Sequence, residues 1–332
     1  MARVIRFHET GSSDVLKLEE APPTSPGEGE VLIHVLAMGL NRAEILYRQG
    51  LYLERTRLPS RIGYEASGLV KAVGEGVTDF KEGDYVSAIP AFSMRQYGVC
   101  GEEALVPAKA LAKMPESIKP EAAASVWMQY LTAYGALIDI GQLTASQAVL
   151  ITAASSSVGI AAIQMVRDLG AMPIATTRTA AKRDALLEAG AAHVIVTDEE
   201  NLVERVRTYT DGKGADIIFD AIAGSIVNEL AEAAAYEGTI FLYGALSLEK
   251  TPFPFRAALS KGLSIVGYTM MQIAKDEDRL EWGKAHILSG LERGTLSPIV
   301  DRVFPLTELG AAYDYMETNQ QLGKIVVSTE LA

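Results

Sequence analysis

The chain has 332 residues, a net charge of -12 and a single cysteine. This length allows about two domains, and the acidic charge disfavours a nucleic-acid or anionic-membrane surface. The single cysteine, Cys100, excludes an internal disulfide and a multi-cysteine zinc site. No apolar run reaches the roughly 20 residues that a bilayer crossing needs, and the start lacks a secretory apolar core. We therefore expect a cytoplasmic protein with no membrane or nucleic-acid partner.

The region before about residue 120 has the pattern of a compact β domain. Turns rich in Gly, Pro and Asp separate short strand-like runs, and one helical turn is expected around Arg42 to Arg48. The predicted strands are Val15–Glu19, Glu30–Ala37, Ala66–Val73 and Asp84–Ala88.

Strands and helices alternate in the middle of the chain, after a long Ala-rich segment, Glu121–Ile140, that has helical character. Six strands alternating with helices predict an α/β domain with a doubly wound parallel sheet. Helices are expected at about 158–169, 180–189, 199–209 and 225–235. The predicted strands are Val149–Thr152, Pro173–Thr176, His193–Val196, Ala215–Phe219, Thr239–Tyr243 and Leu263–Gly267.

The C-terminal part again shows the pattern of short strand-like runs seen in the first region. A helix at about 275–293 leads to a strand-like run at 298–304 and a last strand, Lys324–Ser328. We interpret this tail as rejoining the N-terminal domain, so that the middle domain is an insertion. The expected division is residues 1–122 with 270–332 for the first domain, and 123–269 for the second.

A turn of small residues connects the first strand of the middle domain to its helix. Backbone N–H groups and the helix dipole make this turn a candidate binding site for a dinucleotide pyrophosphate. On a G-x-G-x-x-G template only the last glycine is kept, and alanine or serine can form the turn if φ stays negative. The alternative is a small-residue turn with no ligand. The candidate cofactor-binding residues are Ala154, Ser155, Ser156, Ser157, Val158 and Gly159.

The end of the second strand indicates which nicotinamide cofactor is bound. NAD-preferring domains usually place an acidic residue there, but no acid occurs between Asp168 and Asp184. Thr177, Arg178 and Lys182 occupy this region instead, and both cations could pair with a 2′-phosphate. We therefore predict NADPH over NADH. The alternative is an exposed basic start to the next helix.

Several segments together resemble one family along essentially the whole chain. They are residues 41–52, the GYEASG segment at 63–68, the small-residue turn, the DAIAG segment at 220–224 and the GKIVV segment at 323–327. Because these segments occur together and in this order, the chain resembles the medium-chain dehydrogenase/reductase superfamily. It resembles most of all the zinc-independent quinone oxidoreductase branch. The resemblance implies a GroES-like β domain plus a Rossmann domain, with the active site in the cleft between them.

The resemblance also bears on metal binding. Zinc alcohol dehydrogenases of this superfamily place Cys and His where this chain has Asn41 and Tyr64, and their four-cysteine lobe is absent. Glu65 remains, but one carboxylate without a soft or imidazole partner is a poor zinc site. The four histidines are not at ligand spacing. No metal is therefore expected.

The resemblance further implies which residues face the nicotinamide and the acceptor. Tyr52 matches a tyrosine that related enoyl reductases use as a proton donor, with Tyr47 as a second candidate. The Asn41 amide could bind the acceptor carbonyl or the nicotinamide ribose. The alternatives are a loop aromatic for Tyr52, a turn former for Asn41, and ordinary strand-end packing for the nicotinamide wall. That wall would comprise Thr132, Ile222, Gly224, Tyr243 and Gly244, together with the strand end near Tyr268.

Three functional hypotheses follow. The first is an NADPH-dependent, metal-independent reductase of quinones or α,β-unsaturated carbonyls, because such acceptors take hydride at carbon and need only a donor for the developing charge. The second is a zinc-independent alcohol or carbonyl oxidoreductase on the same scaffold. The third is a non-catalytic NADPH-binding structural or regulatory protein. A homodimer is also expected, because an unpaired apolar edge strand at Leu263–Gly267 would favour aggregation.

Overall fold

The computed structural model describes residues 1–331, and the chain divides into two compact units. The first unit comprises Met1–Met128 and the residues from Pro298 onward; the second unit comprises Gln129–Ser297. Sixteen strands occur in the described residues: β1 Ala2–Phe7, β2 Lys17–Ala21, β3 Glu30–Gly39, β4 Ser60–Arg61, β5 Glu65–Val73, β6 Tyr85–Ala88, β7 Glu103–Pro107, β8 Leu111–Lys113, β9 Ala148–Ile151, β10 Met172–Thr177, β11 His193–Val196, β12 Ala215–Asp220, β13 Ala234–Leu242, β14 Ser264–Gly267, β15 Val300–Pro305 and β16 Lys324–Ser328.

Eleven α-helices accompany these strands within residues 1–331. A π-helical stretch, Gly135–Ile140, continues the third of them, and short 3₁₀ turns occur at Ala180–Lys182 and Gly224–Ile226 among other places. The α-helices are α1 Arg42–Arg48, α2 Pro120–Ala123, α3 Trp127–Tyr134, α4 Ser157–Asp168, α5 Arg183–Glu188, α6 Leu202–Tyr209, α7 Val227–Ala233, α8 Phe255–Lys261, α9 Met271–Ala274, α10 Glu277–Arg293 and α11 Leu309–Glu317.

The first unit is built on a seven-stranded, mostly antiparallel sheet. Its order is β15-β16-β3-β5-β6-β8, with β7 also paired to β3, and β2-β1-β4 form a smaller sheet. The C-terminal strand β16 pairs antiparallel with β3 and parallel with β15. The tail therefore rejoins the N-terminal β structure, as its strand-like sequence pattern predicts.

The second unit contains one parallel sheet of six strands in the order β11-β10-β9-β12-β13-β14. All four residues of the central strand β9 are buried, as expected for a strand covered on both faces. The chain enters the sheet at the central strand β9 and continues through β10 to β11 at one edge. It then returns to β12, beside β9, and continues through β13 to β14 at the other edge. The predicted doubly wound sheet is confirmed, with all six predicted strands present.

The helical segment predicted at Glu121–Ile140 is interrupted in the structure. Helix α2 ends at Ala123, α3 begins at Trp127, and the last part is π-helical. At the break, the Ser125 hydroxyl donates to the Glu121 carbonyl, and the Met128 N–H donates to the Glu65 carboxylate over 2.9 Å. Side chains thus bond groups that a continuous helix would pair internally.

The division between the units also differs from the expected limits. Residues 123–128 lie in the first unit, where the Met128 N–H bonds Glu65. Residues 270–297 lie in the second unit, because α10 packs on α3: a Cβ at Gly283 would lie 2.8 Å from the Leu131 side chain. An ion pair between Arg279 and Asp139 also fastens α10 to the π-helical stretch.

Candidate functional site

The small-residue turn after β9 has the geometry of a tight strand-to-helix connection. The Ser156 side chain caps α4 by accepting from the Gly159 N–H over 3.1 Å. A Cβ at Gly159 would lie 2.6 Å from both the Cα and the carbonyl oxygen of Ala154, so only glycine fits there. The one glycine kept from the template is therefore the one that allows helix and turn to touch.

The turn does not keep all of its φ angles negative. Ala153, directly before the first template position, has φ 46°, a left-handed value uncommon for a side-chain-bearing residue. Ser156 itself has φ -71°. The expectation of negative φ at the template positions therefore holds for Ser156, and the positive φ falls on Ala153, one residue before the template begins.

Of the basic residues after β10, one lies beside the turn, one is exposed and one is held in an ion pair. Lys182 lies beside the turn, with its ammonium 3.1 Å from the Ser155 hydroxyl. Arg178 is exposed, and its guanidinium forms no ion pair within the described chain. Arg183, by contrast, is bound to the Glu200 carboxylate over 2.9 Å. A site for an additional phosphate would thus draw on Lys182 and Arg178.

A buried carboxylate links the ends of two adjacent strands. Asp220, the last residue of β12, accepts from the Thr152 hydroxyl over 2.6 Å and from the Ala223 N–H over 2.7 Å. Burial raises the pKa of Asp220, and these hydrogen bonds oppose the rise. The Thr152 hydroxyl in turn accepts from the Ala221 N–H. This network fixes the segment that follows β12.

The Tyr243 hydroxyl is a buried polar group with no hydrogen-bond partner among residues 1–331. Its ring stacks on Phe219 with the centroids 4.0 Å apart, so the side chain is held at the end of β13. Burial is the main cause that raises the pKa of Tyr243, and the Ser156 side chain acts in the opposite direction. An orphaned hydroxyl near the turn fits a bound polar ligand, since buried polar groups are rarely left unpaired.

The structure gathers most of the predicted cofactor residues at one edge of the sheet in the second unit. The carboxyl ends of parallel strands meet at the same edge, which is the usual place for a nucleotide. Thr132 lies apart from the strands, buried in α3, next to Leu131, whose carbonyl accepts from the Tyr268 hydroxyl. The residues that follow β9, β10, β12 or β13, or close one of these strands, are Ala154 to Gly159, Thr177, Arg178, Lys182, Ile222, Gly224, Tyr243 and Gly244.

The first unit contains a buried polar cluster that we call the Lys324 cluster, formed by Asn41, Glu44, Glu65 and Lys324. The Lys324 ammonium donates to Asn41 Oδ1 over 2.7 Å and contacts the Glu65 carboxylate. Asn41 Nδ2 faces Gly39 O, Glu44 Oε1 and Glu65 Oε2 at 3.1 to 3.2 Å. Both atoms of the Asn41 amide thus have partners, and binding a carbonyl would require Asn41 to give one up.

Glu44 is the fully buried carboxylate of the Lys324 cluster. Its two oxygens accept from the backbone N–H groups of Asn41 and Tyr64 and from the Tyr313 hydroxyl. Burial raises the pKa of Glu44, against the effect of these hydrogen bonds and of the Lys324 charge. The cluster joins α1, β5 and β16, and so ties the C-terminal strand to the start of the unit.

The donors at this place do not fit a tetrahedral zinc ion. Glu65 already accepts from Lys324, Asn41 and Met128, and a cation occupies the space beside its carboxylate. Among residues 1–331, no group of three His, Cys, Asp or Glu side chains is placed to hold a metal. Cys100 is buried with its pKa well above the usual range, mainly through burial, which disfavours the thiolate that zinc requires.

The two candidate proton donors have different surroundings. The Tyr47 side chain is fully buried, and its hydroxyl pairs with Ser60 Oγ over 2.8 Å. Tyr52 is only partly buried, and its ring meets Tyr64 edge-on with the centroids 6.4 Å apart. Burial raises the pKa of Tyr52, while the Tyr64 side chain acts in the opposite direction. This favours Tyr52 over Tyr47 as a group that can reach an acceptor.

Sequence reasoning missed several residues of these sites. Lys324 lies in a recognised segment, but nothing in the sequence pairs it with Glu65, which is 259 positions away. Tyr313 likewise gives no sequence signal for its bond to Glu44. Thr152 ends a predicted strand, and a polar residue following an apolar run was the available signal for its bond to Asp220.

Comparison with known proteins gives family matches in both units. The model described as "Alcohol dehydrogenase GroES-like domain" matches residues 27–116, and "Zinc-binding dehydrogenase" matches residues 157–284. The quinone oxidoreductase of Homo sapiens is 31% identical over 317 residues, covering 95% of this chain and 93% of that protein. The chain belongs to the medium-chain dehydrogenase/reductase superfamily. Within the superfamily it falls in the quinone oxidoreductase-like branch.

Two further similar proteins extend the comparison. The synaptic vesicle membrane protein VAT-1 homolog of Rattus norvegicus is 30% identical, with 96% of this chain and 81% of that protein covered. The structure of Escherichia coli quinone oxidoreductase complexed with NADPH matches with a TM-score of 0.89 at 28% identity, covering 98% of this chain and 99% of that one. Among residues 1–331, no helix has the length and apolar character needed to cross a membrane.

Proposed function

We propose that this superfamily member is an NADPH-dependent, metal-independent oxidoreductase that delivers hydride to a quinone or an α,β-unsaturated carbonyl acceptor. The observation that carries the proposal is the pairing of the turn at Ala154 to Gly159 with two cations after β10, Arg178 and Lys182. The related Escherichia coli quinone oxidoreductase is complexed with NADPH in its crystal structure, which supports the same cofactor here. The cofactor domain corresponds to the second unit, Gln129–Ser297.

The chain's own residues account for how the cofactor is held. The Ser155 and Ser157 hydroxyls and the N–H groups at the start of α4 bind the pyrophosphate, since that helix end carries partial positive charge. Lys182 and Arg178 take the 2′-phosphate as charged donors. The buried Tyr243 hydroxyl gains a partner at the nicotinamide wall. This wall is formed by Ile222, Gly224, Tyr243, Gly244 and Thr132.

Metal independence is supported by the Lys324 cluster. Zinc in related dehydrogenases polarises a carbonyl as a Lewis acid. Here Lys324, Asn41 and the backbone N–H of Met128 already satisfy Glu65. A quinone or an enone needs less polarisation than a simple ketone, because its negative charge spreads over a conjugated system. The proposed acceptors therefore suit a site without a metal.

The acceptor's proton is assigned to Tyr52. Bound NADPH supplies a hydride, and the acceptor then needs one proton to complete a two-electron reduction. The raised pKa of Tyr52 keeps its phenol protonated at neutral pH, so that the phenol can donate a proton to the acceptor. Asn41, with both amide atoms bonded in the Lys324 cluster, positions the start of α1 in this scheme.

We also propose that the protein is a cytoplasmic homodimer. Strand β14 lies at the edge of the parallel sheet, and the neighbouring helix α8 exposes Phe255 and Leu259 by 66% and 73%. An edge strand beside exposed apolar side chains favours pairing with a second copy. Sedimentation analysis of the wild type and of a Leu259→Lys variant tests this, since the variant should shift toward the monomer.

Steady-state turnover tests the proposed reaction. Chelator-treated protein is mixed with NADPH and, in turn, 9,10-phenanthrenequinone, a 2-enal and a simple ketone, and loss of reduced cofactor is followed. We expect turnover with the quinone or the enal, little with the ketone, and no gain on adding zinc. Turnover of the ketone alone would support the alcohol or carbonyl oxidoreductase. Binding of NADPH with no turnover would support the non-catalytic protein.

A further inference from the structure

A polar hollow of about 250 Å³ lies in the first unit and is lined by Arg57, Ser93, Arg95 and Gln96. All four side chains carry N–H or O–H donors, and two of them are guanidinium groups. Within residues 1–331, neither guanidinium has an ion-pair partner. The hollow therefore has an excess of positive charge.

The walls of this hollow are held in place by the chain. The N–H groups of Gln96 and Tyr97 both bond the Ser93 carbonyl, and the Arg95 N–H bonds the Ser93 hydroxyl over 3.2 Å. The Ser93 hydroxyl also donates to the Glu54 carboxylate, the acidic group that contacts the lining. This single carboxylate carries one negative charge against the two positive charges of Arg57 and Arg95, so it compensates at most half of their charge.

The hollow is connected to the proposed proton donor by a row of aromatic rings. Tyr52 contacts Tyr64, and Tyr64 contacts Phe92 with ring centroids 5.8 Å apart. Phe92 directly precedes Ser93 in the lining. On the other side, Arg57 lies on the same loop as Tyr52, where Leu51 and Leu53 are 68% and 82% exposed. Exposed apolar side chains thus lie beside Tyr52, and basic ones lie beyond them.

We propose that this hollow is an anion subsite for the acceptor, so that the preferred quinone or enone carries a phosphate, sulfonate or carboxylate group. The inference rests on the proposed function and names its substrate class. The apolar body of such an acceptor contacts Leu51 and Leu53, and its anionic group pairs with Arg57 and Arg95. Guanidinium groups suit this role because their paired N–H donors match the oxygens of such anions.

A matched pair of acceptors tests the subsite: 1,2-naphthoquinone and 1,2-naphthoquinone-4-sulfonate, each with NADPH. The readout is the ratio of kcat/KM for the sulfonate to that for the parent quinone, which cancels general changes in activity. We expect this ratio to fall about fivefold in Arg57→Gln and in Arg95→Gln, and further in the double variant. Lys109→Gln, an equal charge change at an exposed residue elsewhere in the unit, should leave the ratio unchanged. Added NaCl should lower the wild-type ratio.

The outcomes separate the subsite from the proposed function. If the parent quinone is consumed but the ratio is the same in all variants, the subsite is wrong and the function stands. If no quinone is consumed, calorimetric titration with naphthalene-1-sulfonate decides: weaker binding in the double variant supports the subsite, and equal binding overturns it. Sedimentation with phosphatidylserine vesicles, lost in the double variant while the ratio is unchanged, would assign the arginines to a lipid surface and overturn the proposal.

Discussion

The Lys324 ammonium contacts the Glu65 carboxylate across 259 positions of sequence, and each side chain is only 1% exposed. The pair joins the last strand, β16, to β5 in the middle of the first unit. Removing one member of a buried ion pair leaves the other charge buried without compensation. Loss of either member should therefore weaken the attachment of the C-terminal strand, which is otherwise held by its pairing with β3 and β15.

Lys324→Met should destabilise the protein by about 3–5 kcal/mol, because Glu65 loses its counter-charge in a buried place. Urea denaturation followed by circular dichroism measures the change. Lys71→Met is the matched control: it removes another Lys–Glu contact of the same sheet, but Lys71 is 53% exposed, so at most about 1 kcal/mol is expected. Equal losses in the two variants would contradict the importance of the buried pair.

Gly159→Ala should destabilise the second unit and weaken NADPH binding. The added Cβ would lie 2.6 Å from the backbone of Ala154, so the turn or α4 must move, at a cost of about 1–3 kcal/mol. Thermal unfolding and fluorescence titration with NADPH measure both effects. In the control Gly310→Ala, the added Cβ would meet its nearest neighbours at 3.7 Å, within a helix, so stability should stay the same or rise. A fully stable, NADPH-binding Gly159→Ala protein would show that the turn tolerates a side chain.

Arg178→Ala should raise the KM for NADPH about 10- to 100-fold and leave the KM for NADH unchanged, because only NADPH carries the 2′-phosphate. Steady-state kinetics with both cofactors provides the comparison. Arg256→Ala, which removes another exposed arginine of the second unit, serves as the control and should change neither value. Parallel losses for NADPH and NADH in Arg178→Ala would argue against a 2′-phosphate contact.

Tyr52→Phe should lower kcat for an enone at least about tenfold if the phenol donates the proton. Burial raises the pKa of Tyr52 above the usual value of about 10, so the donating, protonated form persists throughout the neutral range. Wild-type kcat should therefore be nearly flat from about pH 6 to about pH 9 and fall only at higher pH. Tyr47→Phe is the control, since its hydroxyl bonds Ser60 in the core. Unchanged enone turnover in Tyr52→Phe would remove this role.

Cys100 should not react with a disulfide reagent in the native protein at about pH 8, since burial raises its pKa well above the usual value of about 8.5 and little thiolate forms. The chain has one cysteine, so labelling reports this position alone. In denaturant, one equivalent should react rapidly. Fast stoichiometric labelling of the folded protein would mean that the segment around Cys100 opens readily.

The parallel sheet was predictable from the sequence, whereas the Lys324 cluster was not. Strands buried on both faces, such as β9, are continuous apolar runs bounded by turn residues, and these are local signals. Strand β16 was also predicted, but its pairing with β3 and the contact of Lys324 with Glu65 depend on tertiary packing. The break before α3 was missed for the same reason, since Glu65 accepts the Met128 N–H from a distant strand.

The candidate site shows the same contrast. The turn at Ala154 to Gly159 and the cations after β10 are short-range patterns, and the structure brings Lys182 to within 3.1 Å of Ser155. The left-handed φ of Ala153 has no sequence signal, since alanine usually avoids that region. The bonds of Asn41 to Glu65 and Lys324 were equally hidden, because both partners come from distant parts of the chain.

The most direct test of the account is the turnover of 9,10-phenanthrenequinone by chelator-treated protein, measured as kcat/KM with NADPH and with NADH. We predict turnover with NADPH that exceeds that with NADH by about tenfold or more and does not depend on added zinc. Tight binding of NADPH without its oxidation by this quinone or by an enone, or turnover that appears only with zinc, would contradict it.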